Sequence, residues 1–271
     1  MNAKEDLKHF GLIGFPLYRS RSPRLHEKIM KQTDTKGDYT LVRLSDGEAE
    51  DGFNITIPYK TSIIPFLDTL SERAALYGAV NTVKVNDSKA WGYNTDGIGF
   101  LKAIESAGIS LCGRVLILGC GGVARVFAFE SALAHCDITL GIRASSTDKA
   151  YRLKREIKEK TGNDISVRLT REISEGFDLI INATPVGMVP DVDSCPIGEE
   201  VIKQAGAVFD AIYKPLKTVF IRTAEKHGIR AENGLKMLVW QAVAAQEIWC
   251  EKSVDEGTVS RIIKELESED E

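Results

Sequence analysis

The segment Arg114-Val-Leu-Ile-Leu-Gly-Cys-Gly-Gly-Val-Ala124 constrains the fold of this chain more than any other. A short apolar run ends in glycines, a helical pattern runs from Val123 to His135, and a second strand-like run, Asp137-Ile-Thr-Leu-Gly-Ile142, follows. In the spacing Gly119-x-Gly121-x-x-Ala124 the first glycine permits a tight turn and the second lets the backbone approach a pyrophosphate. The small third position allows close helix–strand packing, and the helix N-terminus offers oriented N–H groups to an anion. The pattern predicts a dinucleotide-binding βαβ unit with Gly119, Cys120, Gly121, Gly122 and Val123 as its phosphate loop. The competing reading is a glycine-rich turn that serves packing alone.

The same alternation continues beyond the loop. Residues 147–161 are charged with an apolar stripe and predict a second helix. Ile165–Leu169, Phe177–Ile181 and Ala207–Ile212 predict further strands. Strands and helices alternating at this spacing predict a parallel sheet covered on both faces. The first 95 or so residues are also α/β but less regular. Strands are expected at His9–Ile13, Tyr39–Val42, Phe53–Thr56 and Thr82–Val85, and helices over 24–32 and 96–107. Helices near 235–250 and 257–267 close the chain, with no internal repeat or low-complexity linker.

At 271 residues there is room for two domains. Thirty-nine acidic against 35 basic residues leave a net charge of −4, and no Lys/Arg block forms a basic arm, so a nucleic-acid partner is not expected. Five cysteines without a Cys-x-x-Cys pair read as thiols in a reducing compartment, and the four histidines show no zinc spacing, so no metal is expected. No apolar stretch approaches the ~20 residues that cross a bilayer, and the polar start lacks a signal-peptide core. These features predict a cytoplasmic protein acting on a small molecule, with a homodimer left open.

A site that prefers NAD places an acid about 20 residues beyond the glycine loop, on the ribose 2′-hydroxyl. Here the corresponding strand end reads Gly-Ile-Arg143-Ala-Ser-Ser-Thr. A guanidinium can pair with a 2′-phosphate and stack on adenine, whereas an acid would repel the phosphate, so Arg143 favours NADP. The alternative is an arginine that merely solvates a strand end.

Outside this region several polar motifs lie among tight-turn residues. Ser20-Arg-Ser22-Pro23 precedes a helix, and either serine is a candidate cap. In Asn54-Ile-Thr56-Ile-Pro-Tyr-Lys60, Asn54 and Thr56 project from one face of a strand, with Lys60 just beyond. Gly-Ala-Val-Asn81-Thr82 and Tyr-Asn-Thr-Asp96-Gly97 read as turns, with Asp96 a candidate N-cap.

Taken in order, these segments resemble the shikimate dehydrogenase family along nearly the whole chain. Gly-Leu-Ile-Gly14, Ile-Asn-Ala-Thr-Pro-Val-Gly-Met188, Phe-Asp-Ala-Ile-Tyr213 and Asn-Gly-Leu-Lys-Met-Leu-Val-Trp-Gln-Ala242 complete the set. The resemblance implies an α/β fold with a discontinuous substrate domain, residues 1–96 and 235–271. It also implies a Rossmann-type, doubly wound NADP domain, residues 97–234, with substrate and nicotinamide held in the cleft between them. The implied activity is reversible NADPH-dependent reduction of 3-dehydroshikimate to shikimate, in chorismate and aromatic amino-acid biosynthesis. Carried over by motif, Ser20 and Ser22 bind the substrate carboxylate with help from Tyr213. Thr56, Asn81 and Gln241 add substrate contacts, with Asn54 a further candidate. Lys60 and Asp96 form the catalytic pair, while Ala211 and Gly234 join the glycine loop and Arg143 at the cofactor.

The chemistry suits that pair. Reducing a ketone adds a hydride to carbon and a proton to oxygen, and a lysine held by an aspartate can exchange that proton. Burial weakens a lysine's hold on its proton and a carboxylate strengthens it, and residue order does not decide between them.

Two features depart from the family pattern. Ile142-Arg143-Ala144 stands where Asn-Arg-Thr is common, which removes two polar neighbours of the adenosine phosphate. The stretch from Met30 to Asn54 is also short by about a helical segment. The rival readings are a quinate or quinate/shikimate dehydrogenase, and a catalytically silent NADP-binding sensor. Retention of Lys60 and Asp96 argues against the sensor; Ser20, Ser22 and Thr56 together fit shikimate better than quinate.

Overall fold

The computed structural model describes residues 7–14, 17, 20–41 and 51–270. The expected strand residue Val42 and the middle of the shortened 30–54 stretch, residues 42–50, lie outside them. The chain divides into two compact units, Met1–Gly99 with Val239–Leu266, and Phe100–Leu238 with Glu267–Glu271.

The first unit carries β1 (Lys8–Ile13), α1 (Ser22–Gln32), β2 (Gly37–Leu41), β3 (Gly52–Ile55), β4 (Thr69–Leu70), α2 (Glu72–Tyr77), β5 (Thr82–Asn86), β6 (Lys89–Tyr93) and the start of α3 (Asp96–Ser106). Its sheet is mixed, in the order β2-β1-β3-β5-β6-β4. Strand β1 runs parallel to β2 and β3, whereas β5 is antiparallel to both β3 and β6. The β5–β6 hairpin turns on Asp87 and Ser88, both left-handed (φ 48° and 61°), as a two-residue turn between twisted strands requires. Helix α2 is short but well ended: Ser71 accepts from the Ala74 N–H, and Gly78 closes it at φ 60°.

The second unit contains β7 (Arg114–Leu118), α4 (Gly122–Leu133), β8 (Asp137–Ile142), α5 (Thr147–Thr161), β9 (Ser166–Leu169), β10 (Leu179–Asn182), α6 (Glu199–Ile202), β11 (Ala207–Asp210), α7 (Val219–Lys226) and β12 (Arg230–Glu232). All six strands are parallel, in the order β12-β11-β10-β7-β8-β9. This is the doubly wound, Rossmann-type arrangement, and its order reverses beside β7. Strands covered on both faces must be apolar throughout, and β10 and β11 are buried along their whole length. Helix α5 buries only Ala150, Leu153 and Ile157, the stripe legible in its sequence.

Helix α8 (Leu235–Cys250) and helix α9 (Glu256–Asp270) end the chain. In the first unit, Trp249 stacks on Phe10 at 4.7 Å and donates its indole N–H to Val83 O at 2.8 Å. That bond satisfies the one polar atom of a large buried ring.

Candidate active site and nucleotide cradle

Lys60 and Asp96 meet in the first unit. Lys60 lies in the turn that follows β3, and its carbonyl accepts from Val80 N–H at 2.8 Å, which anchors the turn against the segment entering β5. Asp96 opens α3. The first intrahelical bond runs from Gly99 N–H to Thr95 O, so Asp96 is a first-turn residue and not the cap expected from sequence. Its carboxylate is turned to its neighbours instead: Lys60 Nζ donates to Oδ2 at 2.6 Å and Asn81 Nδ2 donates to Oδ1 at 2.8 Å. The side chains are 29% and 14% exposed, so the pair is sheltered yet still open to a ligand on the lysine side.

Asn81 is buried between β5 and α3. Its second amide N–H reaches Thr95 Oγ1 at 3.0 Å, and its oxygen accepts from Thr95 N–H at 2.8 Å and from the Thr82 hydroxyl at 2.9 Å. Asn54 departs from its expected substrate-facing role. It is 6% exposed and all its polar atoms are used within the protein, with Oδ1 accepting from Tyr39 Oη and Nδ2 donating to Asn81 O and Thr82 Oγ1. Thr56 follows β3 and stays half-buried, with its N–H on Ile13 O. Ser20 and Ser22 sit where α1 begins. Ser20 Oγ accepts from Ser22 N–H at 3.2 Å, which closes a local turn, while the formal cap position falls to Arg21 without a side-chain bond. Gln241 is half-buried on α8, in the same unit. Tyr213 lies in the second unit, on the loop after β11, and is also half-buried.

In the second unit the glycine turn joins β7 to α4. Gly119 has φ +104°, and a side chain there would press on Ala183 and Thr184, so both conformation and packing call for glycine. Gly121 and Gly122 differ. Gly121 is extended (φ −76°, ψ −169°), and a Cβ at either residue would meet no protein atom within 4 Å. Conformation and packing therefore explain Gly119, but packing explains neither Gly121 nor Gly122, which leave a cradle at the start of α4. The first intrahelical bond there is Arg125 N–H to Gly121 O, so the preceding N–H groups of Gly122, Val123 and Ala124 stand at the helix start, where an anion is favoured. Cys120 is buried, with Sγ 3.8 Å from Ser146 O.

Arg143 is exposed at the end of β8 and lines a cleft of ≈ 730 Å³ together with Ala144, Thr170, Arg171 and Gly198. Ile142 is 3% exposed. Ala211 and Gly234 come together: a Cβ on Gly234 would lie 2.3 Å from Ala211 O, and its N–H donates to Ile212 O.

A buried knot behind these loops was not read from sequence. Asp210 ends β11, fully buried, and accepts from Asn182 Nδ2 (3.0 Å), Ile212 N–H (3.0 Å) and the Thr218 hydroxyl (2.6 Å). Burial pushes its carboxyl up to about 6 despite these three donors. Asn182, at the end of β10, also accepts from Thr184 N–H, and Thr218 caps α7. The available signal was Asn182-Ala-Thr-Pro, an Asx-turn pattern at a strand end.

Among the described residues no group of three or more His, Cys, Asp and Glu side chains clusters to hold a metal, and no helix is long and apolar enough to cross a membrane. A doubly wound sheet with an open glycine cradle at its first strand–helix junction defines the class: a dinucleotide-binding α/β protein. Comparison with known proteins makes the class specific. Residues 12–83 match the family described as shikimate dehydrogenase substrate binding domain. A shikimate dehydrogenase (NADP(+)) of Methanococcus maripaludis is 38% identical over 272 residues, covering 94% of this chain and 96% of that protein. Among solved structures, a shikimate dehydrogenase in complex with NADP+ is 35% identical with TM-score 0.86, covering 96% of this chain and 95% of its own. The Listeria monocytogenes shikimate 5-dehydrogenase in complex with shikimate and NAD is 30% identical with TM-score 0.86, covering 96% of each chain. The ligand-free 5-ketofructose reductase of Gluconobacter sp. strain CHM43 is 29% identical with TM-score 0.82, covering 97% and 99%. The chain belongs to the shikimate dehydrogenase family.

Proposed function

We propose that this chain catalyses the reversible NADP-dependent interconversion of 3-dehydroshikimate and shikimate, in chorismate and aromatic amino-acid biosynthesis. The observation that carries this reading is the Lys60–Asp96 pair at 2.6 Å, sheltered and held from its far side by Asn81. When bound, the nicotinamide supplies the hydride that reaches the ketone carbon. Lys60 Nζ gives a proton to the ketone oxygen, or takes it back in the oxidative direction, and Asp96 keeps that nitrogen aimed. Ser20 and Ser22 hold the substrate carboxylate through hydroxyl donors, with Thr56 and Gln241 as further contacts. Tyr213, in the second unit, is assigned to substrate by the family resemblance alone. Residues 1–96 with 235–271 form the substrate domain in this reading, and 97–234 the nucleotide domain.

The nucleotide fits the residues present. The cradle over Gly121 and Gly122, with Gly119, Cys120 and Val123 beside it, would hold the pyrophosphate, and Ala211 and Gly234 would be further contacts to the cofactor. Arg143, exposed at the end of β8, would pair with the 2′-phosphate, which would favour NADP over NAD. Five free cysteines support a cytoplasmic setting.

Initial rates with shikimate against NADP⁺ and NAD⁺ in parallel, and with quinate and 5-ketofructose as competing substrate types, test the assignment. The expected result is the highest kcat/KM for shikimate with NADP⁺. Faster turnover of either other compound overturns the substrate, and nucleotide binding with no turnover overturns the activity.

A further inference from the structure

Behind Asp96 the first unit contains a string of buried polar side chains that runs across its sheet. Tyr39 on β2, Asn54 on β3, Thr82 on β5 and Asn81 just before it are 4%, 6%, 0% and 3% exposed. Asn54 and Thr82 are directly paired across β3 and β5. The direction of every bond follows from two fixed backbone groups. Asn81 O can only accept, so the Asn54 amide nitrogen faces it at 3.0 Å and Asn54 Oδ1 faces Tyr39. Thr95 N–H can only donate, so the Asn81 amide oxygen faces it and the Asn81 nitrogen faces Asp96. The Thr82 hydroxyl therefore accepts from Asn54 and donates to Asn81. Hydroxyl and amide donors then point one way, from Tyr39 through Asn54, Thr82 and Asn81 onto Asp96 Oδ1, while Lys60 holds Oδ2.

We propose that Tyr39, Asn54 and Thr82 are positioning residues for the reaction, acting through Asn81 to fix the Asp96 carboxylate that aims Lys60. Bonds aligned in one direction polarise each other and strengthen in a buried setting. The far end is held as well: the Tyr39 ring lies flat on His26 at 4.2 Å and 4°, and His26 Nδ1 meets Gln246 Nε2 at 3.1 Å. Among the described residues the Thr82 hydroxyl alone bonds to both amide side chains, accepting from Asn54 and donating to Asn81, so its loss cuts the side-chain string while each amide keeps a backbone partner.

The inference rests on the proposed function for its kinetic effect and on geometry alone for its structural one, so two readouts are needed. Thr82→Val, near-isosteric, and Thr82→Ser, which keeps the hydroxyl, are compared with wild type. Steady-state rates with shikimate and NADP⁺ should show kcat about tenfold lower in Thr82→Val, with KM for shikimate within about twofold, and kcat restored to within about twofold in Thr82→Ser. NMR exchange of the Asn81 side-chain amide protons should be slow in wild type and Thr82→Ser and at least about tenfold faster in Thr82→Val. An unchanged kcat, or equal loss in both variants, overturns the kinetic role. Unchanged amide exchange overturns the string even if the wild type turns over no shikimate, a result that would sink the proposed function separately. Should Thr82→Val not fold, Tyr39→Phe takes its place: kcat about threefold lower is expected, and wild-type kcat overturns the proposal.

Discussion

The first unit lays its buried polar side chains along a sheet, from Tyr39 and Asn54 through Thr82 to Asn81 and Asp96. The second gathers Asn182 and Asp210 at strand ends with Thr218 at the start of α7, where they tie two loops together and fill none of the space over Gly121 and Gly122. The contrast follows from what each must hold. On the proposed function, the first unit exchanges a proton at one atom, which needs a side chain aimed to within a fraction of an ångström, and side chain built upon side chain suits that task. The proposed nucleotide needs backbone N–H groups and room for its phosphates, and the second unit leaves both free of side chains at Gly121 and Gly122.

The sharpest way to break this comparison is at Lys60. Lys60→Ala should lower kcat by about a thousandfold, within the range for a lost proton-transfer group, with far less change in KM for shikimate. An unchanged kcat removes Lys60 from the chemistry. Next is Gly121→Val, which enters open space and an extended backbone, so the melting temperature should stay within a few degrees of wild type. NADPH affinity, read by fluorescence titration, should fall about a hundredfold; a large drop in stability with affinity intact would return the glycine to a packing role. Arg143→Ala should weaken NADPH about tenfold and leave NADH unchanged, because the proposed role of its guanidinium is to pair with a 2′-phosphate that NADH lacks. Equal loss for both would make Arg143 a stacking residue.

The smallest effect compares two buried titratable groups. Burial pushes His26 down to about 3, so its share of stability is present above pH 6.5 and is lost as pH falls towards 3. Burial pushes Asp210 up to about 6 from 3.8, so its contribution is present below pH 3.8 and is lost as pH rises through 6. Between about pH 4 and 6 the two slopes, each at most about 1.4 kcal/mol per pH unit, oppose one another. Urea unfolding should therefore show Asp210→Asn losing stability on acidification more steeply than wild type, and His26→Phe reversing the trend. Identical slopes in all three proteins would contradict both assignments.

What could be read in advance differs between the units for the same physical reason. Parallel strands covered on both faces are continuous apolar runs, so Arg114–Leu118 and Asp137–Ile142 were legible to the residue, and the apolar stripe of a surface helix made residues 147–161 equally so. The mixed sheet hides its strands: β6 buries only Gly92 of its five residues, β4 has two residues, and neither was anticipated. Strand β12, with three residues, and helices α2, α6 and α7 were missed as well. Asn54 and Thr56 read as a shared strand face, but β3 ends at Ile55 and Asn54 turns inward to Tyr39. Tyr39 and Thr82 stand 15 and 28 residues from Asn54, and only strand register brings them to it. Lys60 and Asp96, 36 residues apart, were joined by family resemblance and not by pattern.

The division of labour between the units is tested most directly by measuring NADPH affinity and kcat together on Lys60→Ala and Gly121→Val. Lys60→Ala should bind NADPH as wild type does and scarcely turn over, whereas Gly121→Val should bind weakly and approach wild-type kcat at saturating NADPH. If both variants lose both properties alike, the separation of substrate chemistry from nucleotide binding is wrong.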